Sequence, residues 1–320
     1  MLRALPTLSR VLQSDAAALA RPASAQLAPL QRLLTGEGGA GPLATASTAR
    51  TGSIRGVASE SAWGKATPAA EPDSASGAPG PHELYPTHIR LSPAQRVSVA
   101  ALSALGALAR PARADLVAAL GETTGSAALA LMKQQMESTE EGRDLLRERP
   151  RVNNELLYGI AVGCPEGSFG KAYADFMEAR RFEADERPPV RFVDDAELAY
   201  VVTRAREVHD FWHVLFDCHT NVFGELALKA VEAVQTGLPM AALSVMGGHL
   251  RLSAEKRSSL FGVYLPWALS SGTRCSPLMS IYYERHFHED LEVLRRRWRI
   301  TTAPKTKFMK GVESVVKPPA

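Results

Sequence analysis

Asp195-Ala196-Glu197-Leu198-Ala199-Tyr200-Val201-Val202-Thr203-Arg204-Ala205-Arg206-Glu207-Val208-His209-Asp210-Phe211-Trp212-His213-Val214-Leu215-Phe216 contains neither glycine nor proline, and its apolar side chains return at helical spacing. Asp194 with Glu197 supplies a capping pattern in front of it, so the stretch predicts one long helix running to about Phe216. With His209 as reference and 100° per residue, Leu198, Val202, Ala205, His213 and Phe216 all fall within about 40° of it. Two histidines therefore sit in the middle of the face that should be buried, and Asp210 lies at its edge, about 60° from His213. Buried imidazoles need partners. Each ring can donate to a carbonyl or carboxylate in the core. Alternatively the pair, one turn apart, can present nitrogens to one metal ion, the reading that Asp210 beside them favours.

Downstream, His219-Thr220-Asn221-Val222-Phe223-Gly224 reads as a turn, and a helix from Gly224 to Thr236 stops at Gly237 with Pro239 beyond. A helix–turn–helix can fold Glu225 back against the histidines. Glu225 and Lys229 also form a well-oriented i, i+4 pair, with Glu232 and Thr236 continuing the same polar face, and spacing leaves both readings open. Upstream, Ser92-Pro93-Ala94-Gln95 makes a helix start with a capping box. The apolar run Val97–Ala109 is too short to span a bilayer and reads first as a buried core helix, with a membrane-surface or lipid-pocket helix as the sharper alternative. Further helices are expected over Ala112–Leu120 (ending at Gly121), Gly125–Met136, Glu141–Arg149, Asn153–Tyr158 and Ser168–Phe182. Val190–Val193 is the one alternating, strand-like fragment. The fold class expected is all-α: a single multi-helix domain over residues 81–320.

Residues 1–80 differ in kind. They are rich in Ala, Gly, Ser, Pro and Thr with Trp63 their only aromatic, which predicts no packed core. Arg3, Arg10, Arg21 and Arg32 with Asp15 as the only acid before residue 37, and Leu2, Leu5, Leu8, Val11 and Leu12 at helical spacing, describe a mitochondrial or plastid transit peptide followed by a disordered linker. A net charge of +3 argues against a nucleic-acid binder. Three scattered cysteines form neither a disulfide framework nor a thiolate zinc site.

The spacing His209-Asp210-x-x-His213, then Glu225, resembles the signature of the ubiquinone-biosynthesis protein 4 family. Tyr85-Pro86-x-His88-Ile89, Leu120-Gly121-Glu122-Thr123-Thr124-Gly125, Pro165-Glu166-Gly167-Ser168-Phe169-Gly170, Pro188-Pro189-Val190-Arg191-Phe192-Val193-Asp194-Asp195, Glu232-Ala233-Val234-Gln235-Thr236-Gly237-Leu238-Pro239 and Tyr282-Tyr283-Glu284 are similar to it too. The likeness spans about residues 82–300. It implies a helical protein at the matrix face of the mitochondrial inner membrane, peripheral to it, in a complex with other coenzyme Q biosynthetic proteins. It further implies a divalent metal ion, zinc first and ferrous iron as the alternative, on His209, Asp210, His213 and Glu225. The implied reaction is C1-decarboxylation of a 4-hydroxy-3-methoxy-5-polyprenylbenzoate, simple or oxidative, with Asp210 as candidate proton carrier. A non-catalytic scaffold or lipid-presenting subunit is the rival reading, and a homo-oligomer is compatible with either.

Two features depart from the family pattern. Asp217-Cys218-His219-Thr220 lacks an expected proline, so His219 is either an extra ligand or a loop residue. The run Arg295-Arg296-Arg297-Trp298-Arg299 is unusually basic and reads first as a solvated helix end. His-Asp pairs also serve metal-dependent phosphohydrolases, but the further His and Asp ligands such sites need are not assignable here. His286 and His288, two apart, point to different sides of a helix and read as hydrogen-bonding or surface residues.

Overall fold

Ser92 opens the first helix, α1 (Pro93–Ala109), with the expected capping box: its hydroxyl accepts from Gln95 N, and the Gln95 side chain accepts from Ser92 N at 2.9 Å. The computed structural model describes residues 84–110 and 113–309, and the leader and linker expected over residues 1–80 lie outside the described residues. Helices α2 (Ala114–Thr124), α3 (Ser126–Glu137), α4 (Glu140–Glu148), α5 (Asn154–Gly159) and α6 (Phe169–Arg180) follow. Then come α7 (Ala196–Glu207), α8 (His209–Phe216), α9 (Val222–Thr236), α10 (Pro239–Gly248), α11 (Ala254–Ser259), α12 (Leu265–Arg274) and α13 (Leu291–Arg297), with a π-helical turn at Leu260–Tyr264 joining α11 to α12. The fold is all-α. Among the described residues there is no strand ladder, only two isolated bridges.

Several expectations need correction. Val190–Val193 is no strand: the amides of Arg191 and Phe192 donate to Glu122 Oε2 at 2.8 and 2.7 Å, so a buried carboxylate takes the place of a neighbouring strand. Helix α2 runs through Gly121, which lies against Met240 of α10, and ends only at Thr124. The stretch from Asp195 to Phe216 is two helices, interrupted at Val208 (φ −83°, ψ −5°), although Val208 N still bonds to Arg204 O and Trp212 N to Val208 O across the break. Its N-cap is Asp195, whose Oδ1 accepts from Glu197 N and Leu198 N, while Asp194 pairs with His88 and Arg96.

Helix α9 organises the interior. It packs on α10 and α12 and also touches α3 and α8, and its residues Phe223 to Glu232 are all buried. Such a helix, covered on every side, must find internal partners for each charged residue it carries. Helix α8 contributes Phe211, Trp212, Val214, Leu215 and Phe216 to the core, where Phe211 meets Phe169, Tyr173, Tyr283 and Phe287 at ring-centroid distances of 4.6–5.7 Å. Arg295 is not part of a solvated end: it donates to Val214 O at 2.6 Å and Leu215 O at 2.9 Å, closing the C-terminal carbonyls of α8.

Helix α1 is not a buried core helix. Only Val99 and Ser103 are buried, and Val97, Leu105 and Leu108 face outward. Its inner side packs on α2, where Gly106 lets Leu116 approach so closely that an added Cβ would stand 2.7 Å from Leu116 Cδ1.

Arg204 of α7 is wholly buried and grips Glu284 with both terminal nitrogens, Nη2 to Oε2 at 2.8 Å. Glu284→Ala leaves that guanidinium buried without its counter-ion, an expected loss of about 3–5 kcal/mol. Urea unfolding measures it, and Arg204→Met with Glu284→Gln together should lose less than Glu284→Ala alone.

Candidate metal centre

Helix α8 ends at Asp217, which takes the left-handed conformation (φ 52°) and turns the chain out of the helix. Four residues later Asn221 opens α9, its side chain accepting from Gly224 N at 2.9 Å, while its own amide donates to His219 Nδ1 at 3.0 Å. His219 thus shapes the turn. Glycine is required at 224 because an added Cβ would stand 1.9 Å from His219 O. This tight reversal swings Glu225, on the first turn of α9, back against α8.

His209, His213 and Glu225 come together there, with one potential ligand atom from each lying within 4.8 Å of the others. The two Nε2 atoms are 3.1 Å apart, and Glu225 Oε1 and Oε2 stand 3.2 Å from His213 Nε2 and 3.5 Å from His209 Nε2. The other nitrogen of each ring is already engaged. His213 Nδ1 donates to Cys218 O at 2.9 Å, and His209 Nδ1 meets Glu232 Oε1. A carbonyl and an ionised carboxylate can only accept, so both Nδ1 atoms carry hydrogen and both Nε2 lone pairs point at Glu225. Three acceptors converging in a buried place form a site that a cation, whether a metal ion or a proton, can fill. Glu225 Oε2 is buried and lacks a hydrogen-bond donor, which is the fingerprint of an atom whose partner is an ion.

In the ion-free chain, protons do this duty. Burial favours the neutral His209 ring, as does Lys229, but Glu232 and Glu225 outweigh both and push the imidazole up to about 9. Burial alone would raise Glu225, yet the two imidazoles hold its carboxyl well below the usual range. Two imidazoles and a carboxylate suit zinc, or ferrous iron, with positions left open.

Asp210 is placed differently. Its Oδ2 accepts from Arg187 Nη2 at 2.6 Å, and Arg187 is itself fixed on the carbonyls of Val152 and Ala184. The carboxylate stands beside the cluster and outside the group of three.

The i, i+4 pair between Glu225 and Lys229, one of the two readings that spacing left open, does not form. Lys229 Nζ turns to Glu232 Oε2 at 2.6 Å, and both side chains are buried. Glu232 is the residue the sequence reading left on a polar surface. The signal that could have found it is the apolar run Leu226, Ala227, Leu228, Ala230, Val231 around it, which already denies α9 a solvated face. Glu225 and Lys229 form the polar end of an apolar cavity of about 350 Å³, walled by Leu108, Leu120, Leu226, Met240 and Leu243.

The family described as "Coenzyme Q (ubiquinone) biosynthesis protein Coq4" matches residues 85–304. The chain belongs to the Coq4 family. Among its relatives, "Ubiquinone biosynthesis protein COQ4 homolog, mitochondrial" of Bos taurus is 47% identical over 222 residues, covering 69% of this chain and 84% of that one. The protein of the same name from Homo sapiens is 44% identical over 238 residues, 74% of this chain and 90% of that one. A crystal structure from Nostoc punctiforme, 22% identical, superposes with a TM-score of 0.51 over 63% of this chain and 97% of its own, which shows a shared fold and no more.

Gly224→Ala should lower stability by about 1–3 kcal/mol, because α9 must shift away from His219 O. The same shift moves Glu225, so zinc retained after dialysis should fall well below wild type in a variant whose helical circular dichroism persists.

Proposed function

We propose that this chain acts in mitochondrial ubiquinone biosynthesis by removing the C1 carboxyl group of a 4-hydroxy-3-methoxy-5-polyprenylbenzoate, with a divalent ion held by His209, His213 and Glu225 and with Asp210 as fourth ligand or proton carrier. The observation that carries the reading is the convergence of three acceptor atoms around Glu225, which also lines the polar end of an apolar cavity. A polyprenyl tail fits walls of Leu, Met and Ala, and a hydroxylated, carboxylated ring fits an end that presents Glu225 and Lys229. When bound, the ion supplies Lewis-acid polarisation of ring oxygens.

The remaining work falls to side chains. The 4-hydroxyl is para to C1, so its ionisation drives an electron pair onto the carbon that bears the carboxylate. A proton, carried by Asp210, adds there. The bond from C1 to the carboxyl carbon then breaks, its electron pair restores the aromatic ring, the phenolate regains a proton and carbon dioxide leaves. Arg187 holds Asp210 in place one residue from His209. The oxidative variant, in which hydroxyl replaces carboxyl, would need dioxygen and a two-electron donor that reduces its second oxygen atom to water, and would belong with ferrous iron in the same ligand set.

Residues 1–80 serve as transit peptide and linker and 81–320 as the metal-binding domain, in keeping with relatives named mitochondrial. The placement proposed is peripheral, on the matrix side of the inner membrane, among other proteins of the coenzyme Q complex that this chain helps to organise. No helix among the described residues is long and apolar enough to cross a membrane. Leu108, Leu243, Met246 and Leu250, which line the cavity, are nevertheless exposed, and α10 carries no charged residue. The cavity therefore opens on an apolar surface with Arg251 at its rim, suited to anionic lipid.

His209→Ala and Glu225→Ala should each lower bound metal and abolish release of carbon dioxide from the polyprenylated substrate, with helical content unchanged. Full turnover by either metal-free variant overturns the reading. Met246→Glu with Leu250→Glu should reduce sedimentation with cardiolipin-containing vesicles several-fold while leaving metal content intact.

A further inference from the structure

We infer that Glu232 is a positioning residue that fixes His209 for metal binding and sets its strength as a ligand, an inference that rests on the metal reading above. Glu232 lies on α9, two turns beyond Glu225, and is 6% exposed. Each of its oxygens has one partner: Oε1 meets His209 Nδ1 and Oε2 accepts from Lys229 Nζ at 2.6 Å. Lys229 is its buried counter-ion and His209 Nδ1 its second donor, so the carboxylate's charge is matched inside the core. An ionised carboxylate on Nδ1 leaves His209 one useful tautomer, with the Nε2 lone pair aimed at Glu225 and His213.

The two histidines are therefore unequal. His213 is oriented by the neutral carbonyl of Cys218 and by stacking on Phe176, with ring centroids 5.5 Å apart. His209 is oriented by a full negative charge, which raises the basicity of its other nitrogen and makes it the stronger donor. Lys229 is what makes that charge tolerable in the core. It neutralises Glu232 from the far side and lines the cavity in the same position, so the carboxylate that sets the ligand also fixes the cation that faces the cavity. A surface salt bridge between Lys229 and Glu232 would have no such consequence, but here both residues are buried and the carboxylate is shared with an imidazole.

The test is titration of the purified, metal-stripped full chain with cobalt(II), read by its visible ligand-field absorption. Wild type should bind one equivalent, and His213→Ala should bind weakly or not at all. Glu232→Gln keeps the shape and an acceptor oxygen but loses the charge. It should still bind one equivalent, with Kd raised about tenfold and a displaced absorption band. Glu232→Ala should raise Kd further, toward about 100-fold. Glu232→Gln with the wild-type Kd and band overturns the inference, even if its thermal midpoint falls, because a merely structural residue moves stability and leaves the cobalt spectrum alone. Wild type that takes up no cobalt overturns the metal reading itself, and this inference with it.

Discussion

Three charged residues on a helix with no solvated face constrain everything around them. Glu225, Lys229 and Glu232 occupy successive turns of α9, all buried. An uncompensated charge in such a place costs several kcal/mol, so each must be matched inside the core. Lys229 and Glu232 match each other, Glu232 takes one nitrogen of His209, and Glu225 is left facing two imidazoles. The position of α8, the sharp turn at Asp217 and the glycine at 224 all follow from bringing those imidazoles to that carboxylate.

Much of this arrangement was legible in the sequence, and the parts that were not share one cause. Helical geometry places His209 and His213 on a face otherwise apolar, and that placement survives the interruption at Val208, which carries no glycine or proline to announce it. The choice between ordinary hydrogen bonding and metal binding for the histidines was a false alternative: the Nδ1 atoms hydrogen-bond within the core and the Nε2 atoms converge. Glu225, Lys229 and Glu232 could not be sorted by spacing, because i, i+3 and i, i+4 pairings are equally available on one helix. Only the packing of α9 against its neighbours decides that Lys229 turns to Glu232. Val190–Val193 failed for a related reason, since alternation reports an extended backbone but not what it pairs with, and here the partner is Glu122.

The outer surface repeats the theme with the opposite outcome. Where α9 has charges that had to be hidden, α1 and α10 have apolar side chains left uncovered, Leu105, Leu108 and Met246 among them. Apolar exposure on this scale marks a place of contact rather than a failure of packing. That it surrounds the opening of the cavity ties access to the buried cluster to whatever covers this face.

The turn between α8 and α9 has a consequence for how such a chain can change over generations. His213 and Glu225 are held in register by a connection with no slack: a left-handed Asp217, a hydrogen-bonded His219 and a glycine pressed on a carbonyl. Adding or deleting a single residue at the start of α9 would rotate Glu225 by about 100° about the helix axis and turn it away from the imidazoles. The geometry tolerates a change of residue type in the loop more readily than a change of its length. The interval between the second histidine and the glutamate is fixed by geometry as a distance, whatever residues fill it.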